Sequence, residues 1–192
     1  MTGNPTLKHE LERKAIHITS LAIPLFYAIT HQKEWVVNGL LVLLAGFLFV
    51  DILRMKIALV RKIFLRIFGP LLREKEAHNH LTGATTMLIG MLLTVAIFKE
   101  KPAIIGMLFV SLADPAAAIV GRLWGKNRFW NKSLEGSAAF YFTASFIILA
   151  FTHYSWGGLI VALIMTIVEL LPLGIDDNLL IPVVTAYLLS VI

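Results

Sequence analysis

Apolar residues run along the chain in seven stretches, 16–30, 35–53, 81–98, 102–123, 134–151, 155–171 and 179–192, with polar punctuation between them. A helix rises about 1.5 Å per residue, so roughly 20 apolar residues cross the hydrocarbon core of a bilayer. The pattern predicts an all-α, polytopic transmembrane helix bundle of about seven spans, a single transmembrane domain over 1–192. The first and last stretches are short, and the seventh reads either as a span or as a segment that only dips into the membrane. Residues 54–73 read differently. Ile57, Val60, Phe64, Ile67, Phe68 and Leu71 recur at steps of three and four, with Arg61, Lys62, Arg66 and Arg73 largely off that stripe. Such a pattern predicts a basic amphipathic helix in the membrane interface.

Composition supports the membrane reading. Of 192 residues, 58% are hydrophobic and 15% charged, against roughly 45–50% and about 25% in soluble domains. The absence of cysteine excludes disulfides and thiolate metal sites. The first apolar run is followed by no small-residue cleavage site, so it is expected to remain as a span. The net charge of +5 reports topology rather than nucleic-acid binding. With the N-terminus cytoplasmic, only Lys33, Lys99 and Lys101 of the 17 basic residues fall outside; that bias predicts an N-in, C-out chain.

Charged groups inside spans cost about 2.5–3.5 kcal/mol each on insertion scales and mark function by default. Asp114 lies eight residues before Arg122, roughly 12 Å from the cytoplasmic end of its span. His17, Asp51, Glu135, Glu169, Asp176, Asp177 and Asn178, with His78, Asn79, His80 and Thr82 before the third span, all fall on or near that same face in this topology. The outer loops offer only His31, Lys33, Glu34, Lys99, Glu100, Lys101 and His153. One site on the inner face accounts for the asymmetry. Individual members have plainer readings: Asp51 as the ion-pair partner of Arg54, Asp114 as a paired structural acid, His17 as an interfacial ring, and Glu10 to Lys14 as a charged juxtamembrane turn.

Ala117, Gly121 and Gly125 follow Asp114 at four-residue steps. Small residues on one face serve close helix packing, or leave a smooth groove for a ligand. Lys132 and Ser133 precede the start of a helix at Leu134, where an ammonium, a hydroxyl and free N–H groups suit a phosphate. Glu135, two residues on, offers the kind of oxygen ligand that Mg²⁺ takes. Neither a P-loop nor a dinucleotide fingerprint is present.

Four separate stretches, in order along nearly the whole chain, resemble the CTP-dependent lipid-alcohol kinases, the family of dolichol and polyprenol kinases, phytol kinase and the yeast-type diacylglycerol kinase. They are Glu10-x-x-Arg13-Lys14-x-x-His17; His80-Leu81-Thr82-Gly83-Ala84-Thr85; Ser111 to Arg122 with Gly125 and Lys132-Ser133-x-Glu135-Gly136-Ser137; and Glu169 followed by Asp176-Asp177-Asn178 and Pro182. The resemblance implies a CTP pocket at Asp114, Ala117, Gly121, Gly125, Lys132, Ser133, Glu135 and Gly136, and transfer of the γ-phosphate of CTP to a membrane lipid alcohol. Lys132, Arg122 and Arg13 are then expected on phosphates, with His17, Asn178 and the helix starts at Thr82-Gly83 and Glu135-Gly136 around them. Asp114, Glu135 and Asp177 are expected Mg²⁺ ligands, Asp114 being alternatively the group that orients or deprotonates the alcohol. Glu169, Asp176 and His80 complete the candidate set. Eukaryotic dolichol kinases have many more spans, so this chain corresponds to a catalytic core. The favoured acceptor is an isoprenoid alcohol, with diacylglycerol as the alternative. A phosphatidate cytidylyltransferase would release pyrophosphate, and its Lys-Asp, His-Gly-Gly and Asp-Arg-x-Asp signature is absent. A small transporter would place its charges near mid-membrane with access from both faces.

Overall fold

A computed structural model describes residues 13–15, 17–73, 76–77, 80–130, 132–151 and 156–192. Glu10, His78, Asn79, Asn131 and His153 lie outside the described residues. Residues 13–15 and 17–19 are helical and lead into α1 (Ala22–Thr30). His31 takes a left-handed conformation, φ 56°, and its N–H closes on the Tyr27 carbonyl, so α1 ends there and α2 (Lys33–Lys56) starts two residues later.

Over the length of α2, Leu41, Val42, Leu43, Phe47 and Phe49 point outward. A face so apolar has no stable place in water and suits lipid. The chain breaks at Ile57, φ −115° and ψ 113°, and continues as α3 (Ala58–Phe68) and a single 3₁₀ turn, Gly69–Leu71. The amphipathic helix is therefore shorter than the 54–73 pattern predicts. Arg54 and Lys56 belong to α2, and the Arg54 side chain is buried rather than interfacial.

Next come α4 (Gly83–Ile97) and α5 (Glu100–Leu108). A π-turn over Phe109–Ala113 joins α5 to α6 (Asp114–Leu123) in one buried run. Pro115 explains the turn. Its ring clashes with the preceding helical turn and has no N–H to give; the ladder widens instead, so that the Asp114 N–H reaches the Phe109 carbonyl five residues back. Such insertions often sit at functional sites, and this one places Asp114 where the run reopens.

Residues after α6 form a departure from the all-α expectation, a two-stranded antiparallel hairpin of β1 (Arg128–Phe129) and β2 (Lys132–Ser133). Three helices follow: α7 (Leu134–Phe151), α8 (Trp156–Leu170) and α9 (Asp177–Ser190). Within α9, Pro182 cannot donate to the Asn178 carbonyl, and that carbonyl packs against Gly90 of α4, where an added Cβ would lie 2.5 Å from it.

By length and composition, α2, the α5–α6 run and α7 are able to cross a membrane; α4, α8 and α9 are apolar but shorter. The seven sequence stretches thus resolve into three helices of full span length among the described residues. The core is built on α5 and the π-turn, with Ile105, Met107, Leu108, Phe109 and Val110 essentially inaccessible. Phe109 meets Phe140 of α7 edge to face, ring centres 5.9 Å apart.

Candidate active site

Polar groups from five distant parts of the chain converge at one end of this bundle. Lys14 reaches Asp114 of α6 and forms a buried ion pair with its Oδ2, the two side chains being 4% and 9% exposed. His17 Nδ1 stands 4.0 Å from the same oxygen and has no hydrogen-bond partner among the described residues. Across the cavity, Lys132 on β2 places Nζ 2.9 Å from Glu169 Oε1 at the end of α8 and 2.9 Å from Asp177 Oδ2 at the start of α9. It also donates to the Glu169 carbonyl. Burial opposes the ammonium charge, but Glu169 and Asp177 outweigh it and Lys132 titrates above its ordinary value.

Lys14, Asp114, Lys132, Glu169 and Asp177 line a cavity of about 480 Å³. Arg13, Arg73, Arg122 and Arg128 add positive charge to its wall, and the 170–177 connection closes one side. Cationic side chains outnumber carboxylates in the lining, a balance suited to a polyanion.

A second cavity of about 600 Å³ has a different character. Its walls are mostly apolar: Val42, Phe47 and Val50 from α2, Phe64 and Phe68 from α3, Met87 from α4. Arg13 and Arg73 line both cavities, so the apolar chamber and the charged one share two guanidinium groups in their walls.

The structure sorts the residues expected from sequence. Asp114, Lys132, Asp177, Glu169, Asp176, Arg13, Arg122, Ala117, Gly121, Ser133 and Gly136 line the charged cavity. His17, Thr82, Gly83 and Asn178 line the apolar one. The Thr82 N–H, expected to be available at a helix start, donates to Asp51 Oδ2 at 2.9 Å. Asn178 Nδ2 donates to the Gly83 carbonyl at 3.1 Å and ties α9 to α4. His80 is exposed, and its carbonyl accepts from Arg54. Glu135 turns to Asn127, accepting from its backbone N–H at 3.2 Å and its side chain at 3.1 Å, and does not line the charged cavity. Asp51 pairs with Arg54 at 2.6 Å, as its proximity in sequence suggests.

The small-residue stripe is used for close packing. A Cβ on Gly121 would lie 2.8 Å from Ser133 Oγ, and one on Gly136 would lie 2.7 Å from the Ala117 carbonyl and 3.2 Å from Gly121 Cα. Ser133 is buried and its Oγ accepts the Gly136 N–H at 3.1 Å, capping α7. Because the Gly136 contact is to backbone, it cannot yield by a rotamer change. Gly136→Ala is expected to lower stability by about 1–3 kcal/mol, read as a lower thermal midpoint of the detergent-solubilised protein.

Sequence reasoning missed Lys14 as the partner of Asp114, and it missed Arg73 and the apolar chamber. The first contact spans 100 residues, so no local spacing signals it. Arg73 reads from sequence as one more basic residue of an interfacial helix.

Comparison with known proteins decides the family. The chain is 31% identical to CTP-dependent diacylglycerol kinase 1 of Schizosaccharomyces pombe over 96% of its own length and 94% of that protein's. The chain belongs to the CTP-dependent lipid kinase family. The kinase of the same name in Saccharomyces cerevisiae is 29% identical over 71% of this chain, a match covering 48% of the longer yeast protein. An uncharacterised protein of Rickettsia prowazekii is 31% identical over 94% of the chain. No family model matches, and no solved structure matches.

Proposed function

We propose that the chain transfers the γ-phosphate of CTP to the hydroxyl of a membrane lipid, with the nucleotide in the charged cavity and the lipid in the apolar one. The observation that carries this reading is the junction of the two cavities at Arg13 and Arg73. Phosphoryl transfer asks a protein mainly for positioning and for positive charge on the phosphate oxygens. Lys132, Arg122 and Arg13 meet that need along the charged wall. Asp114 lies beside His17 of the apolar chamber and orients the arriving hydroxyl.

Among the described residues, no three histidine, aspartate or glutamate side chains gather to hold a metal ion on their own. Mg²⁺ in nucleotide sites asks for less: one or two carboxylates, completed by phosphate oxygens and water. Asp177 and Asp114 face the same cavity, and Lys132 and Lys14 each engage one of the two oxygens of these acids. The donor set therefore fits Mg²⁺ held by Asp177 and completed by phosphate oxygens and water, which leaves Asp114 to the lipid hydroxyl. When bound, the ion would neutralise charge on the phosphate oxygens. Glu135, committed to Asn127, serves the hairpin instead.

For the acceptor, the names of the relatives support diacylglycerol over the isoprenoid alcohol that the sequence favours. The site faces the cytoplasm in the N-in orientation set by the basic residues. Purified protein would be given labelled CTP or ATP with a panel of diacylglycerol, polyprenol and geranylgeraniol. CDP and phosphatidate in equal amounts, from CTP and diacylglycerol, are the expected products. Pyrophosphate release would point to cytidylyl transfer, and no consumption of CTP with any lipid would overturn the reading.

A further inference from the structure

Arg73 falls outside the four stretches that carry the family resemblance, yet it lines both cavities. It follows the 3₁₀ turn after α3, whose Phe64, Phe68, Leu71 and Leu72 form part of the apolar chamber. Its guanidinium reaches across to α9. Nη1 lies 3.0 Å from Asp176 Oδ2, and Nε lies 3.6 Å from Glu76 Oε1. Asp176 is itself fixed, since its side chain caps α9 by accepting the Asn178 N–H at 3.1 Å. The neighbouring Asp177 holds Lys132. Arg73 thus joins the cover of the apolar chamber to the acid-lined edge of the charged one. Its side chain is 28% exposed, half-buried where the two cavities meet.

We infer that Arg73 contacts the phosphoryl group in transit between CTP and the lipid hydroxyl, a role resting on the kinase reading above. In that step the lipid oxygen bonds to the γ-phosphorus while the bond from that phosphorus to the β-phosphate oxygen breaks. CDP leaves with the electron pair, and the hydroxyl proton passes to the Asp114 carboxylate. In the transition state negative charge is spread over the three equatorial oxygens at a point between the two substrates, and a guanidinium fixed there by two carboxylates is preorganised to meet it. A guanidinium carries five N–H donors in a planar fork, enough to keep Asp176 and Glu76 and still hold a phosphate oxygen. Arg13, the other residue shared by both cavities, lies on a different element, so the two guanidinium groups approach the junction from separate parts of the chain.

The test uses the full chain in detergent with CTP and diacylglycerol, comparing Arg73→Gln, Arg73→Lys and Asp176→Asn. Equilibrium binding of CTP to each variant reports whether the charged cavity survives. Arg73→Gln is expected to lower kcat by about 10²–10³-fold, with KM for both substrates within about threefold of wild type. Arg73→Lys recovers little, because an ammonium does not reproduce the fork. Asp176→Asn, which weakens the brace but leaves the guanidinium, loses less activity than Arg73→Gln. A kcat within threefold of wild type in Arg73→Gln would overturn the inference. Equal losses in Arg73→Gln and Asp176→Asn would do so too, since they would make Arg73 a brace alone. Should Arg73→Gln fail to bind CTP, the Arg73→Lys result decides: full activity there excludes a fork-specific contact. If wild-type protein under the same conditions moves no phosphate from CTP to lipid, the kinase reading itself fails and the role of Arg73 falls with it; an active wild type beside an unimpaired Arg73→Gln sinks the role of Arg73 alone.

Discussion

Asp114→Asn is expected to lower kcat by about 10²–10⁴-fold, the range for losing a group that handles a proton in the transition state. The substitution keeps the shape and removes the charge. Asp114 sits at the end of the π-turn, held by Lys14 and 4.0 Å from His17, so it is fixed before any substrate arrives. KM for CTP should move only several-fold, because Lys132, Arg122 and Arg13 still line the cavity. Stability is a separate matter. Removing one partner of a buried pair leaves the other charge uncompensated, at about 3–5 kcal/mol. A Lys14→Met, Asp114→Asn double variant is therefore expected to regain most of the lost thermal stability and none of the activity. Measuring thermal midpoint and turnover on the same preparations separates the two effects. Activity of Asp114→Asn within a few-fold of wild type would remove this carboxylate from the chemistry.

Arg54→Met carries the largest expected effect on the fold. Arg54 is 1% exposed. It donates from Nε to Asp51 Oδ1 at 2.6 Å, from Nη1 to the Glu76 carbonyl at 2.7 Å and from Nη2 to the His80 carbonyl at 2.6 Å, and it stacks 5.1 Å from the Phe64 ring. One side chain thereby ties Glu76 and His80 to α2 and to the face of α3. Asp51 is bound on its other side by the Thr82 N–H at 2.9 Å and the Thr85 hydroxyl at 2.7 Å. Methionine fills the volume but leaves that carboxylate buried without its cation, a loss of about 3–5 kcal/mol. For a domain of this size, about 1 kcal/mol corresponds to roughly 2–4 °C, so the thermal midpoint should fall by about 10 °C. Adding Asp51→Asn should recover part of the loss, as coupled neighbours do. A midpoint within about 2 °C of wild type would show that this network does not hold the connection.

These residues also show what the sequence makes legible. The Asp51–Arg54 pair is three residues apart on one helix and could be read directly. Asp114 could be read because a carboxylate amid apolar residues needs a reason, and Lys132 because it precedes a helix start. The cluster of acids on one face was legible as well, and Glu169, Asp176 and Asp177 do meet Lys132 and Arg73. What could not be read was pairing at a distance. Nothing local tells that Lys14 finds Asp114, or that a basic residue after α3 turns to α9. Hydropathy marks apolar runs but not how far each helix extends, so seven runs yield three helices of full span length among the described residues. The glycines illustrate a different limit. Their spacing predicts either packing or a ligand groove; Ser133 and Ala117 fill the space opposite them, while the same helices border the charged cavity.

Photolabelling tests the two-chamber arrangement most directly. Protein in lipid vesicles would be exposed to a photoreactive CTP analogue and, separately, to a photoreactive diacylglycerol, with adducts mapped by mass spectrometry. Nucleotide adducts are expected at Arg128, Trp130, Lys132, Ser133 and 170–177, and lipid adducts at Phe64, Leu72 and Met87, the walls of the charged and apolar cavities. Competing unlabelled CTP should remove only the first set. Lipid adducts confined to outward residues such as Phe142, Phe146 and Ile160, or nucleotide adducts on the outer face near His31, would contradict the arrangement.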